Sequence, residues 1–109
     1  MKKYNIKKDF NLGWFLGSFE KSLVPNCPFE VAIKYYKKGD YDAKHYHKIS
    51  TEYTVIVKGL VMMNGEIYRT GDLIVIEPNE ATDFKVLSTE AITCVVKNPG
   101  ALNDKYNVK

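Results

Sequence analysis

The sequence predicts an all-β fold, built as a small barrel or sandwich of antiparallel strands. It contains at least seven short segments rich in valine, isoleucine, threonine and aromatic residues, separated by glycine, proline and asparagine turn signals. No segment repeats its apolar residues with a convincing helical period. The 109 residues, 45% of them hydrophobic, suit one domain with one substantial core. We therefore expect a single domain over residues 1–109.

The two ends of the chain are expected to lie outside the main strands. Residues 1–12 are interpreted as an arm or an edge strand, and residues 98–109 as a polar tail or a strap across the barrel. Strands are predicted between them, at 13–19, 29–37, 53–57, 61–69, 72–76, 82–87 and 91–97. Asn64-Gly65 divides the fourth of these into a hairpin, because this dipeptide is typical of a type I′ turn.

The segment 29–37 shows the clearest alternation. Its residues fall into two sets, one with Phe29, Val31, Ile33 and Tyr35 and the other with Glu30, Lys34 and Tyr36. A period of two indicates a strand that is half buried, with one set on each face.

Charge and composition exclude several classes of function. The net charge of +3 comes from dispersed lysines, with a single arginine and no basic stripe among exposed aromatics, so a nucleic-acid partner is not expected. There is no signal peptide and no apolar run long enough to cross a membrane, so we expect a soluble, cytoplasmic protein without a membrane partner. Two distant cysteines, Cys27 and Cys94, also fit a reduced cytoplasm.

The stretch 39–59 contains the residues with metal-binding and acid–base chemistry. His45 and His47, the only histidines, are two residues apart, so an extended backbone points both imidazoles to one face. Glu52 follows a short connection that can reverse the chain and bring its carboxylate to the same point. Two imidazoles and a carboxylate suit manganese, iron, zinc or nickel. Continued alternation from Glu52 puts the hydroxyl of Thr54 on the same inner face, as a ligand contact.

The same stretch resembles the first sequence motif of the cupin family. That motif reads glycine, five residues, His-x-His, three or four residues, glutamate, six residues, glycine. Its fixed positions are matched by Gly39, His45, His47, Glu52 and Gly59. The resemblance implies a single-domain cupin β-barrel, which is a double-stranded β-helix or jelly roll, with a divalent transition metal inside and a dimeric assembly.

The family's second motif, glycine, five residues, proline, x, glycine, two residues, histidine, is matched less closely. Gly71 and Pro78 are present with one extra residue between them, and Glu80 replaces the inner glycine. Asp83 stands where the family has its last metal-binding histidine, and is therefore the candidate fourth ligand. In the alternative interpretation Lys85, on the same face of an extended segment, neutralises Asp83 instead.

The first of three open functions is a metal-dependent enzyme acting on a small polar metabolite such as a sugar or a carboxylate. The metal would polarise a substrate oxygen, and an imidazole or Glu52 would move protons. In the third function the barrel is a sensor or binding module without catalysis, since fold does not determine function.

The second function is a metal-free enzyme resembling the sugar-nucleotide epimerases and isomerases among cupins. His45 or His47 would be the general base, and Lys44 or Arg69 would bind an anionic group of the ligand. Tyrosines are the candidate acids and ligand contacts, namely Tyr35, Tyr41, Tyr46 and Tyr53.

A homodimer is expected because a barrel this small has unpaired sheet edges, which a second subunit commonly covers. The N-terminal strand with Trp14 and Phe15 is the candidate docked or swapped edge. Trp14 is accordingly interpreted as core or interface packing, and not as a ligand platform.

Overall fold

The structure, a computed structural model, describes residues 1–108, and the last residue of the predicted tail, Lys109, lies outside the described residues. Residues 1–108 form one helical turn and ten strands in two five-stranded antiparallel sheets, which confirms the all-β prediction. The elements are α1 (Ile6–Asp9), a 3₁₀ turn (Asn11–Gly13), β1 (Trp14–Leu16), β2 (Glu30–Lys37), β3 (Tyr41–Tyr46), β4 (Thr51–Lys58), β5 (Leu60–Met63), β6 (Glu66–Arg69), β7 (Leu73–Ile76), β8 (Thr82–Val86), β9 (Glu90–Asn98) and β10 (Tyr106–Asn107).

The first sheet has the strand order β1-β2-β9-β4-β7 and the second the order β10-β3-β8-β5-β6. An apolar cluster buried between the sheets consists of Ile56, Val61, Met63, Ile76, Phe84, Val86 and Ala91. Burying each of its larger side chains stabilises the fold by about 1.5–3 kcal/mol. This core lies at the N-terminal end of β9, where Ala91 is located. Toward the C-terminal end of β9, polar side chains occupy the space between the sheets.

The Asn64-Gly65 turn joins β5 to β6 as the sequence predicts. Asn64 has φ 49° and Gly65 has φ 79°, the two positive values that a type I′ turn requires. The turn sets the register in which Met63 lies opposite Glu66.

The N-terminal segment differs from the expected arm or edge strand. Its single helical turn, α1, is capped by Asn5, whose side chain accepts hydrogen bonds of 3.0 Å from the backbone N–H groups of Lys7 and Lys8. A turn of four residues is too short to show a helical period in the sequence. No helix among residues 1–108 has the length and apolar character needed to cross a membrane.

Strand β2 turns its polar face inward. Glu30 and Ala32 are buried, and Lys34 and Tyr36 follow them on the inner face. Tyr35, on the opposite face, is 48% exposed. The inner face of β2 therefore borders a polar cavity through Lys34 and packs against the apolar core through Tyr36, which the alternation of the sequence alone does not reveal.

Candidate functional site

A cavity of about 260 Å³ lies between the two sheets. Five residues proposed from the sequence line it, namely His45, His47, Glu52, Thr54 and Asp83. The histidines come from β3 and the residue just after it, whereas Glu52 and Thr54 come from the inner face of β4. The structure thus brings the two halves of the first motif to one place.

An irregularity in β3 determines which of its side chains face the cavity. Asp42 lies opposite Phe84 and His45 lies opposite Thr82, so β3 uses three steps where β8 uses two. A bulge of this kind re-aims the side chains that follow it. As a result Asp42 and His45 both line the cavity, and the ring centroids of His45 and His47 are 5.4 Å apart.

His47 and Glu52 form a buried charge pair. Nε2 of His47 is 3.4 Å from Oε1 of Glu52, and the hydroxyl of Thr54 donates a 2.9 Å hydrogen bond to Oε2 of the same carboxylate. The hydrogen bond to Glu52 raises the pKa of His47 more than burial lowers it. Burial acts to raise the pKa of Glu52, but the hydrogen bonds from His47 and Thr54 outweigh it, and the pKa is lowered. Both shifts favour the imidazolium–carboxylate form.

His45 has a different hydrogen-bonding environment. Its Nδ1 donates a 2.8 Å hydrogen bond to the backbone carbonyl of Ala43, so in the neutral ring Nε2 is the nitrogen with the lone pair. Nδ1 is also 3.8 Å from Oδ2 of Asp42. The cavity therefore holds one imidazole with an available acceptor nitrogen beside a second that retains a proton.

The C-terminal segment completes the site through Asp104, which the sequence analysis did not identify. The carboxylate of Asp104 accepts hydrogen bonds of 2.9–3.0 Å from the backbone N–H groups of Lys48, Ile49 and Ser50. Its own backbone carbonyl accepts the Nδ1–H of His47. The segment is thus a strap across the barrel. No periodic pattern in the polar tail could have singled out this aspartate.

Comparison with known proteins places the fold. No family model and no curated protein matches the sequence. A solved structure of an uncharacterized protein with a double-stranded β-helix domain from Klebsiella pneumoniae gives a TM-score of 0.72 at 14% identity, over 99% of this chain and 93% of that chain. A cupin-superfamily sugar phosphate isomerase from Silicibacter pomeroyi gives 0.63 at 18% identity, over 69% of this chain and 53% of that chain. KdgF from Halomonas sp. gives 0.61 at 17% identity, over 68% and 72%.

This chain has a cupin fold. Identities of this size support the architecture alone, and the function depends on the side chains that this chain places in the cavity.

The tyrosines proposed as acids lie on the outer surface of the two sheets. Tyr46 follows His45 and precedes His47, so strand alternation turns it outward, where it stacks on Tyr106 with 5.5 Å between ring centroids. Tyr35 and Tyr41 are exposed, at 48% and 62%. Tyr53 alternates with the inward Glu52 and Thr54 and faces away from the cavity. The acid assignment to Tyr46 and the ligand contact at Tyr35 are therefore corrected.

The predicted anion-binding residues also lie elsewhere. Lys44 is exposed, because the bulge in β3 turns Asp42 and His45 inward and leaves Lys44 on the outside. Arg69 is exposed at the end of β6, on the arm of the hairpin. Neither residue lines the cavity.

Asp83 does not complete a four-ligand metal centre. Its Oδ1 accepts a 2.8 Å hydrogen bond from the backbone N–H of Asn64, so the carboxylate is directed to the hairpin and not to the histidines. Both ring nitrogens of His47 are already engaged, by Asp104 and by Glu52. Within residues 1–108 no group of three or more histidine, cysteine, aspartate or glutamate side chains is placed to hold a metal ion. The donor set in this cavity does not fit the predicted metal centre.

The cavity has cationic walls that the sequence analysis missed. Lys34 of β2 and Lys97 of β9 line it, and the Nζ of each is 5.0 Å from the ring centroid of Trp14. Trp14 therefore borders the ligand cavity, contrary to its interpretation as packing. The sequence indicated that Lys34 shares a face with Tyr36, but gave no sign that this face points inward.

Proposed function

We propose that this cupin is a metal-free isomerase or epimerase that moves a proton next to a carbonyl group of a small metabolite. The supporting observation is the pairing of two unlike histidines in one cavity. His45 has an available Nε2, and His47 holds a proton against Glu52, with 5.4 Å between the ring centroids. Enolisation requires one base and one acid, each within hydrogen-bond reach of the substrate.

In the proposed reaction Nε2 of His45 removes a proton from the carbon next to the substrate carbonyl. The electron pair of the broken C–H bond forms a carbon–carbon double bond, and the carbonyl oxygen takes the proton that Nε2 of His47 shares with Glu52. When the deprotonated carbon carries a hydroxyl, as in a sugar, the product is an enediol. For isomerisation, His45 returns its proton to the former carbonyl carbon, and the hydroxyl on the other carbon gives its proton to His47 as the new carbonyl forms. For epimerisation, the enediol turns over first, His45 returns its proton to the opposite face of the original carbon, and the enol hydroxyl returns its proton to His47. Glu52 keeps its charge and stabilises His47 in the protonated form between turnovers.

The size of the cavity restricts the metabolite. A volume of about 260 Å³ lies just below the usual range for ligand pockets, which is about 300–1,000 Å³. A single sugar or sugar acid fits such a space better than a sugar nucleotide. The proposal therefore narrows the metal-free alternative to a small carbohydrate-like substrate.

Solvent deuterium exchange tests the proposal whichever product the reaction gives. The protein is incubated in D₂O with a panel of aldoses, ketoses, sugar phosphates and sugar acids, and exchange at carbon next to the carbonyl is followed by NMR. Wild type and Tyr46→Phe, whose ring is outside the cavity, are expected to exchange at equal rates. His45→Asn and His47→Asn are expected to lose at least about a hundredfold, the usual contribution of a general acid or base.

Three outcomes would contradict the proposal. Exchange that survives both histidine substitutions in folded protein would remove the acid–base assignment. Stoichiometric transition metal in protein purified without chelators, with exchange that depends on it, would favour the metal-dependent enzyme. Ligand binding without exchange anywhere in the panel would favour the sensor or binding module.

We also infer that the cupin forms a homodimer through the outer face of the first sheet. Three side chains of β4, Tyr53, Val55 and Val57, point outward there, and Leu73 and Val75 extend the surface on β7. Leu73 is 58% exposed and Val75 is 43% exposed, and the outward positions of the paired part of β9 are also apolar: Ile92, Cys94 and Val96. Uncharged faces of this kind mark interaction sites.

The area of this face supports a second copy as the partner. The five strands contain 32 residues, and a strand spacing of about 4.8 Å with about 3.4 Å of rise per residue gives roughly 520 Å² in projection. A standard interface buries about 800 Å² of accessible surface on each partner, and protruding side chains raise the accessible area above the projection. By contrast β1 pairs with β2 of its own chain, so the structure offers no support for a swapped N-terminal strand.

A further inference from the structure

The acidic groups in the cavity are already paired. Asp42 accepts a 3.1 Å hydrogen bond from Nζ of Lys105, and Glu52 is paired with His47. Asp83, which borders the cavity, is bonded to the hairpin backbone. These contacts leave no free carboxylate in the cavity lining to balance a further positive charge.

Two lysines in the same cavity have no ionic partner. None of the ion pairs formed within residues 1–108 includes Lys34 or Lys97. Glu30 and Glu52 flank Lys97 on the neighbouring strands, but neither carboxylate is in ion-pair contact with it. Burial lowers the pKa of Lys34, and the positive charge of Lys97 lowers it further. An anion between the two ammonium groups would relieve both effects.

The fold directs both lysines toward one place. Trp14 lies opposite Ala32, and Lys34 is two residues farther along β2. On the neighbouring strand β9, Val95 is the partner of Ala32. Lys97 is two residues beyond Val95, on the side of Ala32 away from Lys34. Trp14 is thus midway between the lysines, and each Nζ lies 5.0 Å from its ring centroid. Contact with the indole holds the long side chains in position.

A buried hydroxyl provides a third polar group. Thr93 is the cross-strand partner of Lys34 and lines the cavity, and its side chain is 1% exposed. Its Oγ1 interacts with the hydroxyl of Tyr36 and makes no other hydrogen bond among residues 1–108. A hydroxyl can both donate and accept, so Thr93 retains capacity to contact a ligand in the cavity.

We propose that Lys34 and Lys97, positioned by Trp14, bind a carboxylate or phosphate group of the metabolite. This inference rests on the proposed function and specifies its substrate class as a sugar acid or a sugar phosphate. The anionic group lies against the lysines, and the carbonyl end of the substrate extends toward His45 and His47. Ammonium groups bind phosphate and carboxylate alike, so the experiment has to distinguish a phosphate ligand from a carboxylate ligand.

Isothermal titration calorimetry on the full chain tests the anion site. The probes are inorganic phosphate, glucose 6-phosphate and gluconate, with uncharged glucose as the comparison. We expect at least one anionic probe to bind, glucose to bind at least about tenfold more weakly, and Lys34→Met and Lys97→Met each to weaken the anion by about tenfold or more. Lys44→Met, which removes an exposed lysine of β3, is the matched control and should bind as the wild type does.

The readouts separate failure of this inference from failure of the proposed function. His47→Asn is expected to bind the anion and to lose deuterium exchange. Equal binding of glucose and the anions, no binding of any probe, or unchanged affinity in both lysine variants would overturn the anion site. If the methionine variants do not fold, Lys34→Arg and Lys97→Arg, which retain the charge, are used instead. Anion affinity that does not fall with added sodium chloride would also overturn the anion site.

Discussion

The Nδ1–H of His47 donates a hydrogen bond to the backbone carbonyl of Asp104, 57 residues later in the chain. This contact fixes the ring so that Nε2 faces Glu52. The carboxylate of Asp104 meanwhile holds the turn between β3 and β4 through three backbone N–H groups. One residue of the C-terminal strap therefore sets both the shape of the turn and the orientation of the proposed acid.

The first prediction concerns this aspartate. Asp104→Ala is expected to lower the free energy of unfolding by about 2–3 kcal/mol, because three N–H groups lose a charged acceptor in a buried place. Asp104→Asn, which keeps an oxygen acceptor, should lose less. Chemical denaturation measures both, with the exposed Leu102→Ala as control. A cost for Asp104→Ala no larger than that of the control would contradict the role of the strap.

The sequence predicts the fold and part of the site for a physical reason. Two histidines separated by one residue share a face in any extended strand, and Glu52 and Thr54 do so as well, so their meeting depends only on local geometry and on strand order. These short-range rules suffice for His45, His47, Glu52 and Thr54, which all line the cavity.

The remainder depends on relations that no short-range rule contains. Asp104 reaches His47 across 57 residues. The β3 bulge that leaves Lys44 outside has no sequence signal, and the faces of β2 alternate clearly without revealing which one is inside. Strand alternation predicts which residues share a face, whereas tertiary packing determines which of the two faces is buried. In β2 the face that carries Lys34 is the one that packs toward the cavity.

The charge pair predicts a pH window for stability. The pKa of His47 is raised above 6.5 in the folded state, so its contribution is complete below pH 6.5 and is lost as the pH rises through the folded-state value. The pKa of Glu52 is lowered below 4.5, so its contribution is complete above pH 4.5 and is lost as the pH falls through the folded-state value. The pair therefore stabilises the protein fully between pH 4.5 and 6.5.

Thermal denaturation from pH 3 to pH 10 measures this window. The difference in stability between wild type and His47→Gln is expected to be greatest between pH 4.5 and 6.5 and to shrink on both sides. Tyr46→Phe serves as a control, because this substitution leaves the His47–Glu52 pair intact. A difference in stability that stays constant across the whole pH range would show that the pKa values of His47 and Glu52 do not change on unfolding.

The outer face of the first sheet predicts the oligomeric state. Wild type is expected to sediment as a species of twice 12.5 kDa at micromolar concentration. Leu73→Lys inserts a charge into the apolar face, and because Leu73 is 58% exposed the fold of one chain should tolerate it. The dimer dissociation constant is expected to rise at least about tenfold. Ile67→Lys, at a 49% exposed position of β6 in the other sheet, should leave it unchanged. Wild type that sediments only near 12.5 kDa would contradict the interface.

The two glycines of the first motif differ in what surrounds them, which allows a matched comparison. Gly39 has φ +88° and open space where a Cβ would be placed, whereas Gly59 has φ +109° and the backbone oxygen of Glu90 only 2.7 Å from that point. Gly39→Ala should cost about 1–2 kcal/mol of unfolding free energy from the left-handed backbone alone. Gly59→Ala adds a clash with the first residue of β9, and is expected to cost more. Chemical denaturation of the two variants side by side measures the difference. Equal costs would mean that the backbone at Gly59 relaxes away from Glu90, and that this glycine is required only for its dihedral angle.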